Sequence, residues 1–306
     1  MRAACAFVAE RSGLVHIDDD RLRSLAQSLA LSPALPLAQS PAGVSIDDER
    51  LPVELAVTYG AVNFGSGWHP YLDKEPAKSG SVTIVTRLRR RFEADGPFTA
   101  ADLEGLTPHD CARVFGQPMR PPVDELMALF ARSLNDLGAF LVSHFDGSFA
   151  ALVNGAGGSA ARLVELLCEM PMYRDVAGYD GRAVPFLKRA QLTASDIGGF
   201  DDLDNLTVFA DNLVPHVLRV EGVLRLDAGL AAAIDAGELL ESGGQAEVEL
   251  RAAAVVAGER MARAAAESDG PLTPFTPRQI DSLLWRRGQE HRFKAVPRPR
   301  VRTWFY

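Results

Sequence analysis

One aspartate in this sequence stands where a carboxylate is costly, which makes it the first candidate for chemistry. Asp211 lies between two apolar runs in LTVFADNLVPHVL, residues 206–218. A charge among apolar side chains is unfavourable when it is buried and unpaired. The stretch therefore predicts either that Asp211 caps a helix or that it takes part in catalysis. Glu259 lies on the apolar stripe of its predicted helix, and two shielded carboxylates favour acid–base chemistry, as structural ion pairs also would.

A segment rich in aromatic residues and glycine has the composition of a ligand-binding loop. VNFGSGWHPYL, residues 62–72, combines two glycines with Phe64, Trp68 and His69. Glycine lets a backbone approach a ligand closely, and aromatic rings suit a flat heterocycle. The alternative is an aromatic-rich turn beneath the core and, for His69, a histidine in a surface turn. The segment lacks the GxxxxGK[ST] pattern of a phosphate loop.

Two further segments offer groups that could hold an anion. FLKRAQL, residues 186–192, places Lys188 and Arg189 inside an apolar stretch, and a lysine that points into a pocket there would suit a phosphate. The alternative is a solvated face on which both cations snorkel. Ser159 follows two glycines and opens an amphipathic run, so it is predicted to cap a helix rather than to bind an anion.

Composition and charge narrow the class of protein. The chain has 306 residues, of which 47% are apolar and 24% are charged, and its net charge is −8. Nucleic acid polymers are not expected as partners, because proteins that bind them usually show a basic surface. No apolar run reaches the length of a membrane span, and the N-terminal apolar run is short for a secretory signal. These features predict a soluble cytoplasmic protein and do not set its oligomeric state.

Metal ions and other cofactors are not expected. The three cysteines have no zinc-site spacing. HIDDD, residues 16–20, could suggest a metal site, but its carboxylates are better interpreted as the opening turn of a helix, where negative charge is favoured. No Ser-His-Asp or Cys-His order is recognisable from the spacing.

The hydrophobic periodicity predicts a mainly α-helical protein with at most a small β element. Apolar residues recur at three- and four-residue spacing in most segments, whereas β-branched runs are few. The predicted elements are helices at 18–31, 123–142, 158–170 and 245–266, a strand at 81–86 and a loop at 32–43.

Two further expectations concern organisation and surface charge. The chain is predicted to be a single compact domain over residues 1–306, with a candidate subdomain break near 115–126, where prolines cluster. Glu247 and Arg251 are four residues apart in the last predicted helix, a spacing typical of an exposed ion pair.

The motifs FLKRAQLTASDI and LTVFADNLVPHVLRVEGVL resemble those of the queuosine salvage family, the queuosine 5′-phosphate N-glycosylases. Looser matches extend in the same order through SGLVHIDDDRL, FDGSF, GSAARLVELL, YRDVAGYDG and EVELRAAAVVAGE. The resemblance implies a mostly helical fold related to the helix-hairpin-helix DNA glycosylases. It also implies hydrolysis of the bond between a 7-deazaguanine-type base and ribose 5-phosphate, which releases queuine for tRNA modification.

The resemblance also implies roles for particular residues. The family's catalytic aspartate matches Asp211, and its KRAQ lysine matches Lys188, which is expected near the phosphate. Phe209 would line the base pocket, and His69 is expected to hydrogen-bond a polar substituent of the ring. The predicted substrate-binding residues are Phe64, His69, Lys188, Phe209 and Asn212.

Two departures from the family pattern fall where the ligand is expected. The family commonly continues its early Asn-Phe with Cys-Phe-Trp, whereas Asn63 and Phe64 continue into GSGWHP. A tyrosine usually follows the catalytic aspartate, whereas Asn212 stands here. These changes affect the prediction of which base is recognised more than the prediction of the reaction type. Two alternatives stay open: a paralogue that hydrolyses another modified nucleotide, and a non-catalytic nucleotide-binding protein of the same fold.

Overall fold

The fold is that of a computed structural model, which describes residues 1–31, 51–266 and 275–306. The predicted loop at 32–43 lies outside the described residues. The α-helices are α1 (Arg2–Arg11), α2 (Asp19–Leu31), α3 (Val53–Val62), α4 (Gly80–Asp95), α5 (Ala100–Glu104), α6 (Pro108–Val114), α7 (Val123–Phe145), α8 (Phe149–Asn154), α9 (Ala160–Leu167), α10 (Lys188–Ile197), α11 (Leu213–Val220), α12 (Ala228–Asp235), α13 (Gln245–Ala266), α14 (Pro277–Arg287) and α15 (His291–Lys294). The β-strands are β1 (Val15–Ile17), β2 (Val176–Tyr179), β3 (Arg182–Pro185), β4 (Leu224–Leu226), β5 (Leu239–Leu240) and β6 (Arg300–Val301).

The described residues divide into two compact units, each of which draws on separate stretches of the chain. The prediction of a single domain stays a prediction beside this division. The first unit contains residues 1–31, 175–188, 204–266 and 275–302, and the second contains residues 51–174, 189–203 and 303–306.

Helix α13 is the centre of the first unit, where α1, α2, α11 and α14 pack against it. Its middle is a run of small residues, and Ala252 and Ala257 are fully buried, so neighbouring elements approach closely. At Gly258 a Cβ atom would lie 2.4 Å from Val208 Cγ1. Real Cβ contacts are longer than this, so the glycine is required for the segment before α11 to pack on α13.

The β-structure of the described residues consists of three two-stranded pairs, all in the first unit. β1 pairs antiparallel with β4, β2 pairs antiparallel with β3, and β5 pairs parallel with β6. Asp180 and Gly181 join β2 to β3, and both have positive φ, as a tight two-residue hairpin requires. The prediction of a mainly α fold with little β-structure is therefore confirmed.

Helix α7 organises the second unit, where α3, α5, α6 and α8 pack against it. Among the described residues, α7 is the helix long and apolar enough to cross a membrane by length and composition. Packing within the protein buries 56% of its most apolar window. The core helix of a folded domain gives the same signal, and the packing of four helices around α7 matches that case.

The four predicted helices are confirmed as α2, α7, α9 and α13, and Ser159 caps α9 by accepting a hydrogen bond from the Arg162 amide. The predicted strand at 81–86 is wrong, because these residues lie inside α4. Ser79 caps that helix, and Thr83, Ile84 and Leu88 are buried at helical spacing. Capping and packing outweigh the β-branched composition of the segment.

The predicted exposed pair between Glu247 and Arg251 is also wrong. The pair exists, at 3.1 Å, but Glu247 is 3% exposed and Arg251 is 2% exposed. Neighbouring elements cover α13 on several sides, so its polar face is not a surface. The guanidinium of Arg251 also binds the carboxylate of Asp175, at 2.5 Å.

Candidate active site

Residues 206–210 of the first unit are a buried segment outside any helix or strand. Buried backbone groups need hydrogen-bond partners, and here two side chains supply them. The Phe209 amide donates to Asp281 Oδ1 at 2.8 Å. The Ala210 carbonyl accepts from Arg251 Nε at 2.9 Å. The backbone that leads into Asp211 is thus held by one buried carboxyl group and one buried guanidinium.

Asp211 caps helix α11. It lies one residue before the N-cap position, which Asn212 occupies, and its Oδ1 accepts hydrogen bonds from the amides of Leu213 at 2.6 Å and Val214 at 3.3 Å. The amides and dipole of a helix N-terminus stabilise an ionised carboxylate. Asp211 is half-buried, and the positive charge of Arg298 also acts on it. The helix-cap interpretation is therefore correct, and it leaves the charge of Asp211 beside a second acidic group.

That second acidic group is Asp281, on α14. Burial raises the pKa of its carboxyl group to about 7, and the negative charge of Asp211 acts in the same direction. The Phe209 amide and the charge of Lys188 oppose the rise. The two carboxyl groups have different surroundings: that of Asp281 is buried, and that of Asp211 is bound by helix amides. This is the arrangement of an acid paired with an anion.

Lys188 is the first residue of α10 and is 5% exposed. Its charge acts on Asp281 and opposes the rise in the pKa of that carboxyl group. Phe209 and Asn212 are 4% and 5% exposed. The first unit therefore contains Lys188, Phe209, Asp211 and Asn212, four of the six residues predicted for the site.

Phe64 and His69 belong to the second unit. Phe64 is 4% exposed, and its ring meets the ring of Phe130 edge-on at 5.0 Å. His69 is half-buried in a single 3₁₀ turn, and its ring covers Gly80, where a Cβ atom would lie 2.5 Å from His69 Cγ. Their contacts with substrate stay predictions.

Glu259, the other shielded carboxylate predicted from the sequence, is partly buried with 19% of its side chain exposed, and it forms an ion pair with Arg2 at 2.9 Å. Asp281 was missed by the sequence reasoning. A signal for it exists: Ile280 and Leu284 are buried on either side in α14, so Asp281 repeats the pattern of an acid among apolar residues. That pattern alone does not show that Asp281 lies near Asp211, because the contact that brings them together joins Asp281 to Phe209, 72 residues away in the sequence.

The described residues contain no group of three or more His, Cys, Asp or Glu placed to hold a metal ion. What the site offers instead is a carboxylate bound by helix amides, a buried carboxyl group with a pKa of about 7, and a buried lysine. Glycoside-bond hydrolases use such a division between two carboxyl groups, one as acid and one as anion. The helical fold and this site define the chain as a candidate glycosidic-bond hydrolase.

Comparisons with known proteins identify the family. The sequence pattern of the queuosine salvage protein family matches residues 61–306. A relative from Sphaerobacter thermophilus is 34% identical over 98% of this chain and 95% of its own length. A relative from Mus musculus is 28% identical over 100% of this chain and 98% of its own length. Both are named queuosine 5′-phosphate N-glycosylase/hydrolase. This chain belongs to the queuosine salvage protein family.

Proposed function

We propose that this chain hydrolyses the N-glycosidic bond of queuosine 5′-monophosphate and releases queuine and ribose 5-phosphate, for queuine salvage in tRNA modification. The names of its relatives support this substrate. The observation that carries the chemistry is the pairing of Asp211 with the buried, protonatable Asp281. No cofactor or nucleic acid polymer enters the proposal, and a cytoplasmic location is part of it.

Asp211 is the proposed catalytic anion. Cleavage of an N-glycosidic bond builds positive charge at C1′ of the ribose. A carboxylate fixed by helix amides stabilises that charge, and it does so more strongly in a partly dry site than in water. The same carboxylate orients a water molecule, whose hydroxyl group becomes bonded to C1′ while its proton leaves to the carboxylate or to solvent.

Asp281 is the proposed acid. A 7-deazapurine has carbon in place of N7, so the usual protonation site of a departing purine is missing. The leaving base takes the electron pair of the broken bond and needs a proton elsewhere. A carboxyl group with a pKa of about 7 holds its proton in a large fraction of molecules at neutral pH, and it can donate that proton or a hydrogen bond to the base.

Lys188 is the proposed anchor for the 5′-phosphate, because a buried ammonium group binds a phosphate through charge-assisted hydrogen bonds. Phe209 is proposed to line the base pocket next to Asn212. Phe64 and His69 are proposed as further substrate contacts, with His69 bonded to a polar substituent of the ring.

A second candidate is a paralogous N-glycosidase for another modified nucleotide. The replacement of the family's aromatic continuation by GSGWHP after Phe64, and of its tyrosine by Asn212, favours this candidate. A non-catalytic nucleotide-binding protein is less favoured, because binding alone does not need a protonatable carboxyl group beside an anion.

A substrate panel tests the proposal. The purified protein is incubated with queuosine 5′-monophosphate, queuosine and guanosine 5′-monophosphate, and free base is measured by mass spectrometry. The proposal predicts release of queuine from the first compound and much slower release from the other two. Release from guanosine 5′-monophosphate alone would favour the paralogue, and heat stabilisation by a nucleotide without release would favour the binding protein.

A further inference from the structure

The guanidinium of Arg251 is buried and uses its nitrogen atoms on three different groups. Nη1 and Nη2 form a two-point contact with the Asp175 carboxylate at 2.9 and 2.5 Å. Nη1 also reaches Glu247 at 3.1 Å. Nε donates to the Ala210 carbonyl at 2.9 Å. The planar group lies 4.0 Å from the centre of the Phe186 ring, so stacking fixes its orientation as well.

Asp175 extends this contact to the backbone before Lys188. Its carbonyl accepts from the amides of Phe186 at 2.9 Å and Leu187 at 3.3 Å. Its Oδ2, which binds Arg251, also accepts from the Lys188 amide at 3.2 Å. Leu187 has a φ of +52°, a conformation that costs free energy for a residue with a branched side chain and persists only where its surroundings impose it.

One buried guanidinium therefore connects two chain segments, one that carries the proposed catalytic Asp211 and one that carries the proposed phosphate anchor Lys188. Through Ala210 it fixes the residue before Asp211, and through Asp175 it fixes the strained turn before Lys188. A buried ion pair is weak evidence for a role in stability, since apolar replacements often stabilise a protein as much. Geometry explains the pair better, because lysine or an apolar residue could not bond a carboxylate at two points and a carbonyl at a third.

We infer that Arg251 is a positioning residue for the hydrolysis. It fixes the relative positions of Asp211 and Lys188 through its contacts with the Ala210 carbonyl and the Asp175 carboxylate. The inference rests on the proposed function. Arg251 is not proposed to contact a reacting atom. Asp175 is the second positioning residue, because it joins Arg251 to the Lys188 amide.

The test compares Arg251→Lys with a matched control, Arg87→Lys. Arg87, in α4 of the second unit, also binds a carboxylate, Glu75 at 3.1 Å, and backbone carbonyls, those of Phe115 and Gly116. Steady-state kinetics with queuosine 5′-monophosphate and thermal unfolding are measured for both variants. Arg251→Lys is expected to lower kcat about 100-fold, the loss typical of a misplacement of about 1 Å. Arg87→Lys is expected to lower the melting temperature and to leave kcat unchanged.

Asp175→Asn separates the effect of the Asp175 contact with the Lys188 amide from that of the Arg251 contact with the Ala210 carbonyl. It keeps the carbonyl contacts of Asp175 and weakens the acceptor of the Lys188 amide, so it is expected to raise KM more than it lowers kcat. Equal loss of kcat in Arg251→Lys and Arg87→Lys, in proportion to lost stability, would overturn the inference. So would wild-type kcat in a folded Arg251→Lys protein.

A carboxyl titration by NMR decides the matter without turnover. The negative charge of Asp211 helps to raise the pKa of Asp281, and the charge of Lys188 opposes that rise. Displacement of Asp211 in Arg251→Lys should therefore lower this pKa, and displacement of Lys188 in Asp175→Asn should raise it. Lys188 and the Phe209 amide are the other groups that act on Asp281, and Arg298 acts on Asp211. If the wild type released no queuine, the proposed function would fail, and an unchanged Asp281 titration in both variants would reject the positioning role independently.

Discussion

Residues 206–212 and residues 62–72 both combine aromatic and polar residues at or beyond the ends of α-helices, yet they are held in place by different forces. Hydrogen bonds hold the first segment, because Asp281 accepts from the Phe209 amide and Arg251 donates to the Ala210 carbonyl. Ring packing holds the second: Phe64 meets Phe130 edge-on, and Trp68, 2% exposed, donates its Nε1 hydrogen to Glu125 at 2.9 Å.

The difference shows how a fold can hold a charged side chain in a fixed position. In residues 206–212, buried side chains hydrogen-bond the backbone, and the carboxylate of Asp211 interacts with Asp281 and Arg298. In residues 62–72, Phe64 and Trp68 are buried, and Trp68 is tied to Glu125. Similar composition is thus held in place by hydrogen bonds to the main chain in one unit and by ring packing in the other.

The largest expected effect comes from removing the charge of Asp211. Asp211→Asn should lower kcat by at least about 1,000-fold, because the transition-state cation loses its counter-charge. Asp227 provides a matched control, since it caps α12 through the amides of Gly229 at 2.8 Å and Leu230 at 3.4 Å. Both variants should lose similar stability as caps, and kcat should fall in Asp211→Asn alone. Equal turnover in both variants would reduce Asp211 to a helix cap.

Asp281→Asn should make the protein more stable at alkaline pH. Because the pKa of Asp281 is raised to about 7, the folded state keeps a proton between about pH 4 and 7 that the unfolded state has lost. Stability from the neutral carboxyl group is therefore present below about pH 4 and is lost as the pH rises to about 7. Chemical denaturation at about pH 8 should show the variant more stable by about 2–4 kcal/mol. A difference that did not shrink toward pH 4 would contradict the burial of this group.

Lys188→Met should remove discrimination by the phosphate. The ratio of kcat/KM for queuosine 5′-monophosphate to that for queuosine is expected to fall about 10- to 100-fold, the worth of a charge-assisted hydrogen bond. Lys78→Met is the control, because Lys78 is a surface lysine of the second unit that bonds Thr86 at 3.0 Å. An unchanged ratio in Lys188→Met would place the phosphate elsewhere.

The pH dependence of the rate should report Asp281. As the acid with a pKa of about 7 loses its proton, kcat/KM should fall about tenfold per pH unit on the alkaline side. Asp281→Asn should be slower at neutral pH and should lack this decline. A decline of the same shape in the variant would assign the proton to another group.

The smallest effect is expected in the aromatic segment. Trp68→Phe removes the hydrogen bond to Glu125 and should cost about 1 kcal/mol of stability, with KM within about twofold of wild type. Trp304→Phe, at a tryptophan that is 40% exposed, is the control. A rise in KM without loss of stability would show that the hydrogen bond of Trp68 serves substrate binding rather than packing, and it would remove the contrast between the segments.

Local signals in the sequence predicted part of this architecture. Periodicity located four helices, and the apolar flanks of Asp211 and the KRAQ motif selected Asp211 and Lys188. The strand predicted at 81–86 failed because a local preference for β-structure gave way to the Ser79 cap and to burial on one helix face.

The rest depends on contacts between residues distant in the sequence. Asp281 reaches Phe209 across 72 residues, and Arg251 reaches Asp175 across 76. The i,i+4 spacing of Glu247 and Arg251 is the same for a surface pair and a buried one, so only packing around α13 distinguishes them. The likeness to helix-hairpin-helix glycosylases and the contacts of Phe64 and His69 stay predictions.

The most direct test of the central claim is single-turnover release of queuine from queuosine 5′-monophosphate at about pH 6.5, where Asp281 is largely protonated. Wild type and Asp211→Asn are compared by mass spectrometry with enzyme in excess. The account predicts one queuine per nucleotide from wild type and almost none from a folded Asp211→Asn protein. Release by the variant at the wild-type rate would contradict it.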